Sequence, residues 1–427
     1  MSSSGPRTLW PSPGGILSIA GAMVLLAVAS VLLTVPGTQA LDLSACQLCD
    51  GRRYLAMAGG ATTFLPHAGR ILVPRLVALL NLDVLDRPAA FEVIDLISVT
   101  VIAAGGGAIA WVAARRAGVS GFRAGAAAGI VVGIMLVLPM GLRWARHYPV
   151  LVDPLANALV VAWLVLSVAS RRALNWIAVP VAAAAVLTRE TALVLVLAAL
   201  LTQVYYSRNR RAVLPIAAAT LGALAVSAVV LLLAPNAGDD TGPLLGYLAG
   251  WLLFHVTTPD GWIEAGRSLL LSTGFLPLLL LRSPRRLGLL LSSDSAAGTP
   301  LLMPALTLVV AGTVVAFVAG ADMARYLVVI SPFVLALALA QAAVAPRLDL
   351  ELALALCASI AIWAPLAAFP DSVSGDSFFS DFYYPGQPIH YLLSGLTQAS
   401  PFLAAWLLLL VVTIGIRLRR RGRAAAP

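Results

Sequence analysis

Between its first two long apolar runs the chain reads CQLCDGRRYLAMAGGATTFLPHAGRILVP, from Cys46 to Pro74. Asp50, Arg52, Arg53, Tyr54, His67 and Arg70 stand in this stretch, with Asp42 just before it. An ionised carboxylate accepts a proton, a guanidinium fork holds an oxyanion with parallel hydrogen bonds, and histidine changes charge near neutral pH. The same chemistry returns at long intervals. RWARHYPVLVDP brings Arg143, Arg146, His147 and Tyr148 ahead of Asp153; TRET sets Arg189 beside Glu190; ADMARYL sets Asp322 three residues before Arg325. Proton-handling and anion-holding groups in a chain otherwise poor in charge point to a membrane enzyme more than a pore. The first polar loop is the place to look for a catalytic carboxylate.

These residues need a frame, and composition defines it. The chain is 60% hydrophobic and only 11% charged, with a mean hydropathy of +0.94. That excludes an ordinary soluble protein, and lipid takes the place of a large aqueous-facing surface. All 28 basic residues are Arg. The pI near 10.1 does not signal nucleic acid, because the arginines gather at the ends of apolar runs. Runs of spanning length occur at about 15–36, 92–114, 123–141, 152–170, 173–188, 190–206, 212–234, 266–282, 300–320, 325–344, 350–369 and 401–417, roughly twelve in all. The expected fold class is therefore all-α integral membrane: about twelve transmembrane helices in one bundle, forming a single polytopic domain over residues 1–427. Pro180 can kink the short fifth run, and 286–293 reads as re-entrant or interfacial. Residues 15–36 end in PGTQA, which resembles a signal-peptide cleavage site, but so long a run suits an anchored span better.

Arginine placement sets the orientation. With a cytoplasmic N-terminus, the inside connections carry Arg115, Arg116 and Arg123; Arg171 and Arg172; Arg208, Arg210 and Arg211; Arg282, Arg285 and Arg286; and Arg347. The basic tail 417–427 is then inside as well, so both termini are cytoplasmic. Of the 19 acidic residues, only Asp294, Asp349 and Glu351 fall inside. The first external loop runs from about 37 to 91 and a late one from about 370 to 400. All four polar groups fall on the external face, which predicts one shared polar cavity.

Each group also has a local reading. Asp50 can be a solvated loop carboxylate, and Arg70 and Arg75 can snorkel to lipid headgroups. Asp153 before Pro154 can be an N-cap. Arg189 with Glu190, and Asp322 with Arg325, can be local ion pairs. YLAMAGGATTF is amphipathic and reads as an interfacial helix in the first loop, with Tyr54, Met57 and Phe64 toward lipid or protein. Cys46 and Cys49 form a CxxC that can be redox-active or half a zinc site, but no second CxxC or matching His pair completes one. In an oxidising compartment a local disulfide between them is expected. Cys357 reads as a core residue, and the glycines 105–107 as a close helix approach. In the late loop, Asp376, Asp381, Tyr383, Tyr384 and His390 fit either a membrane-interface surface or contacts to an acceptor sugar.

The ordered series D-x3-Y-x-x-M-A through FLPHAGRILVP, HYPVLVDPLANAL, VLTRETALVL and ADMARYLVVISP resembles bacterial multi-pass glycosyltransferases of the GT-C superfamily, over most of residues 15–345. The resemblance implies a GT-C-like bundle in the bacterial inner (plasma) membrane. Its donor would be a polyprenyl-phosphate sugar used at the external, periplasmic face, and its acceptor a glycan, lipid or protein; membrane lipids surround it and nucleic acid has no part. It maps the catalytic acid of the first loop onto Asp50, with Asp42 as the second choice. Asp50 would then be the general base, and Arg70, Arg189 and Arg325 would hold the leaving phosphate. Asp153 and Glu190 would orient sugar hydroxyls or those arginines, with Asp42, Tyr54, His67, His147, Tyr148 and Asp322 completing the substrate site. The loop lacks an adjacent acidic pair, so a divalent metal is the one cofactor this reading leaves open. Two rivals share the same residues: a transporter or flippase of a lipid-linked or anionic substrate, and a glycan polymerase or ligase.

Overall fold

In a computed structural model the chain is described over residues 50–63, 67–81, 86–139, 141–148, 150–169, 171–233, 244–282, 284–296, 298–318, 323–345 and 349–366, with shorter stretches between 21–33 and 396–412. Among the described residues the protein is all-helical and has no strand. Two short helices, α1 (Asp50–Ala58) and α2 (Leu72–Leu80), precede the long α3 (Arg87–Arg116). Then follow α4 (Gly121–Val137), α5 (Leu142–His147), α6 (Asp153–Ser167), α7 (Arg172–Thr188), α8 (Thr191–Tyr206) and α9 (Arg210–Leu232). The second half holds α10 (Leu244–Thr257), α11 (Pro259–Thr273), α12 (Pro277–Arg282), α13 (Pro284–Ala296), α14 (Leu302–Val318), α15 (Met323–Leu327), α16 (Ser331–Val344) and α17 (Asp349–Leu366).

Among the described residues three helical stretches are long and apolar enough to cross a membrane: Arg87–Arg116, Arg210–Leu232 and Arg325–Val344. Most other expected runs appear as apolar helices of 17 residues or fewer, because polar turns take up their ends. The expected span 266–282 is broken into α11 and α12. Gly274 has φ +59 and lies so close to α17 that a Cβ would sit 2.3 Å from Ser359 Oγ. Ser359 Oγ accepts from the Phe275 N–H at 2.9 Å and Trp363 Nε1 donates to the Leu270 carbonyl at 2.8 Å, which pins the break to α17. The stretch 286–293 is part of α13.

The core forms around α3, which packs on α4, α6 and α16. Gly105, Gly106 and Gly107 permit the approach: Cβ atoms there would lie 2.3 Å from Val161, 3.1 Å from Val131 and Pro332, and 2.7 Å from Val132. The apolar α16 is buried all round, as a helix without a polar face must be. Successive helices run antiparallel and sort their ends. The start of α6, the α7–α8 turn and the start of the Arg325–Val344 stretch meet at one end, and Leu231 of α9 reaches the 67–69 turn there. At the other end Arg116 pairs with Asp294 and donates to the Thr299 carbonyl, Arg123 donates to the Ala343 carbonyl, and the Arg208 N–H donates to the Gly298 carbonyl.

Candidate functional site

Three arginines and three carboxylates from distant parts of the chain interlock at the first end of the bundle. Arg325 Nη2 donates to Asp153 Oδ2 at 2.9 Å and to Asp50 Oδ2 at 3.1 Å. Arg189 pairs with the other oxygen of Asp153, and its guanidinium lies 4.3 Å above the Tyr326 ring, in cation–π range. Arg70 grips Glu190 as a fork, Nε to Oε2 at 3.0 Å and Nη2 to Oε1 at 2.7 Å, while its Nη1 donates to the Tyr54 hydroxyl at 2.7 Å. Tyr148 Oη accepts from the Gly51 N–H at 3.1 Å, which ties α1 to the loop before Asp153.

Local structure explains how these groups arrive. Asp50 opens α1, where a carboxylate complements the helix dipole. Arg189 is extended (φ −156, ψ 128) and closes α7, whereas Glu190 is helical (φ −57, ψ −32) and opens α8. The two neighbouring side chains therefore leave the turn in different directions, one to Asp153 and the other to Arg70. A buried apolar cluster of Tyr54, Val73, Val77, Phe91, Val150 and Val152 packs α1, α2 and the 150–152 loop onto α3 beneath the polar layer.

The charges balance: Asp50, Asp153 and Glu190 face Arg70, Arg189 and Arg325. Burial alone would raise the Asp50 carboxyl, but Arg325, the hydrogen bond from His67, and Arg70 hold it well below the usual carboxylate range. Desolvation likewise raises Glu190, and Arg70 and Arg189 outweigh it, to about 2. His67 Nε2 lies 2.9 Å from Asp50 Oδ1, while Arg53 Nη1 lies 3.1 Å from Nδ1. A guanidinium only donates, so Nδ1 accepts and Nε2 carries the proton directed at Asp50. Desolvation pushes His67 below its ordinary value, against the pull of Asp50, consistent with this neutral ring. The arginine side chains are nearly buried, at 5%, 5% and 6% exposure, whereas Asp50 keeps 24% and Glu190 41%. A molecule reaching the site meets those two carboxylates first, with the guanidinium groups behind them.

Most residues singled out in the sequence are thus joined in one network: Asp50, Tyr54, His67, Arg70, Tyr148, Asp153, Arg189, Glu190 and Arg325. His147 is buried at the end of α5. Several local readings give way. Asp153 is not the cap of α6, since that position is Val152, and Arg189 and Glu190 each pair across the bundle. Arg70 is 4% exposed and does not snorkel. Tyr54 is fully buried against protein. Asp42, Cys46, Cys49, Phe64, Asp322 and the late loop with Asp376, Asp381, Tyr383, Tyr384 and His390 lie outside the described residues. Tyr326 beneath Arg189 extends the network beyond what spacing revealed, and Arg146 forms a separate pair with Glu92 at 2.5 Å. Asp95, placed on the external face by sequence, is buried within α3, one turn from Glu92. Among the described residues no group of three or more His, Cys, Asp or Glu side chains gathers as metal ligands. No family model, no curated protein and no solved structure matches the chain.

Proposed function

We propose that this chain is a membrane glycosyltransferase of the GT-C type, moving a sugar from a polyprenyl-phosphate carrier to an acceptor hydroxyl at the external face of a bacterial inner membrane. On this reading the bundle has about twelve spans, with both termini cytoplasmic. The observation that carries it is the Arg325 bridge between Asp50 and Asp153, beside the Arg70–Glu190 fork. A carboxylate beside guanidinium groups suits a general base next to a phosphate, which supports this reading. The resemblance in motif order supports the same reading.

The donor's phosphate takes over hydrogen bonds of Arg325, and Asp50, released from that charge, becomes basic. The acceptor oxygen attacks the anomeric carbon, its proton passes to Asp50, and the carbon–oxygen bond to phosphate breaks. Its electron pair leaves with polyprenyl phosphate, which Arg325, Arg70 and Arg189 neutralise. His67, held by Arg53, orients Asp50 through its Nε2–H.

A transporter or flippase is the second reading, favoured by one observation: the Asp95 carboxyl is wholly buried inside α3, and ionisable groups buried within spans mark transport pathways. Purified protein in sealed proteoliposomes with polyprenyl-phosphate-linked hexose separates the two. Release of polyprenyl phosphate on adding a glycan acceptor supports transfer. Movement of intact donor across the bilayer without release overturns it.

A further inference from the structure

At the end of the bundle opposite the charged network, a narrow cavity opens between α6, α7, α8 and α9. The 17-residue α7 separates the two ends by about 25 Å at 1.5 Å per residue. Ser167, Asn175, Gln203, Thr220 and Thr299 supply its polar lining, and Trp163, Leu200 and Ile216 its apolar depth. Its walls include the first turns of α7 and α9, through Asn175 and through Ala212 and Val213. Neither helix start has a side-chain cap, so two positive dipole ends converge there.

The helix starts that carry the lining residues Asn175, Ala212 and Val213 are flanked by basic residues. Arg171 and Arg172 begin α7, and Arg208, Arg210 and Arg211 surround the start of α9. All are exposed, and among the described residues none is in an ion pair. Residues 154–189 and 191–238 contain no Asp or Glu. Elsewhere at this end Arg116 pairs with Asp294, and Arg282 with Glu351. Basic charge, hydroxyl and amide groups and two helix starts around an apolar-backed cavity match a phosphodiester on a hydrocarbon chain.

We propose that this cavity binds the phosphate headgroup of an anionic membrane phospholipid, with its acyl chains along the apolar faces of α7 and α9. The site is independent of the charged network and of the glycosyltransferase reading.

The test is native mass spectrometry of the full-length protein in a neutral detergent, titrated with phosphatidylglycerol, with phosphatidylcholine and with inorganic phosphate. The wild type should hold one phosphatidylglycerol at least tenfold more tightly than phosphatidylcholine. R171Q/R172Q/R210Q/R211Q should lose that preference. A212W, which plugs the mouth from an exposed position and keeps every arginine, should lose it too, while R285Q retains it. Thermal melting in detergent alone verifies that each variant is folded. Equal binding of the two lipids overturns the proposal, as does full retention in A212W, which would mean diffuse surface attraction. Saturation by inorganic phosphate at the concentration that saturates the lipid overturns the lipid as source.

Discussion

Arg325 Nη2 lies 3.1 Å from Asp50 Oδ2 across 275 residues of sequence. The same nitrogen reaches Asp153, so one buried guanidinium closes the first polar loop onto the bundle. Such contacts are costly to bury and costly to break, because removing one partner leaves the others charged and without compensation. The network is therefore a fixed assembly whose members respond together.

Arg325→Gln should leave Asp50 and Asp153 in excess and destabilise the protein by about 3–5 kcal/mol, the usual consequence of breaking a buried pair. Adding Asp153→Asn should recover part of that loss. A double-mutant cycle by thermal melting in detergent measures the coupling, and simple additivity would contradict the bridge.

Arg70 and Glu190 are 120 residues apart and meet as a fork. Arg70→Glu alone should weaken both stability and transfer, and Arg70→Glu with Glu190→Arg should restore stability in part. No recovery in the double variant would mean that the pair is not specific.

The same pair sets an acid response. Glu190 titrates near 2 when folded against an ordinary 4.5. A lowered folded pKa gives stability that is fully present above 4.5 and lost as pH falls toward 2. Melting temperature should hold from pH 7 to 5 and then fall. In Arg70→Gln that acid-dependent loss should shrink, and an unchanged profile would refute the assignment.

Gly274→Ala places a Cβ against Ser359 and Trp363 at a positive φ. Overpacking of this kind costs about 1–3 kcal/mol, read as a lower melting temperature, whereas Gly246→Ala, in open space, should be nearly neutral.

Sequence reading went furthest where composition and helix ends decide the outcome. Apolar runs located most of the described helices but not α10 (Leu244–Thr257), and the sorting of polar groups placed Asp50, Asp153, Arg189 and Arg325 at one end. It could not name partners. Arg189 beside Glu190 reads as a local pair, yet the change from extended to helical backbone between them sends them apart. Asp153 before Pro154 looks like a cap, but the helix begins on Asp153 itself and the carboxylate is drawn to two arginines. The break at Gly274 was hidden because its cause, the approach of Ser359, lies 84 residues beyond Phe275 in sequence. The role of Tyr326 under Arg189 likewise depends on packing that no spacing encodes.

The most direct measurement is the rate at which Asp50→Asn protein releases polyprenyl phosphate from a polyprenyl-phosphate-linked hexose in the presence of acceptor, with binding of polyprenyl phosphate followed separately. Binding should stay within a few-fold of wild type while the rate falls by about 100-fold or more. Transfer at the wild-type rate in Asp50→Asn would contradict it.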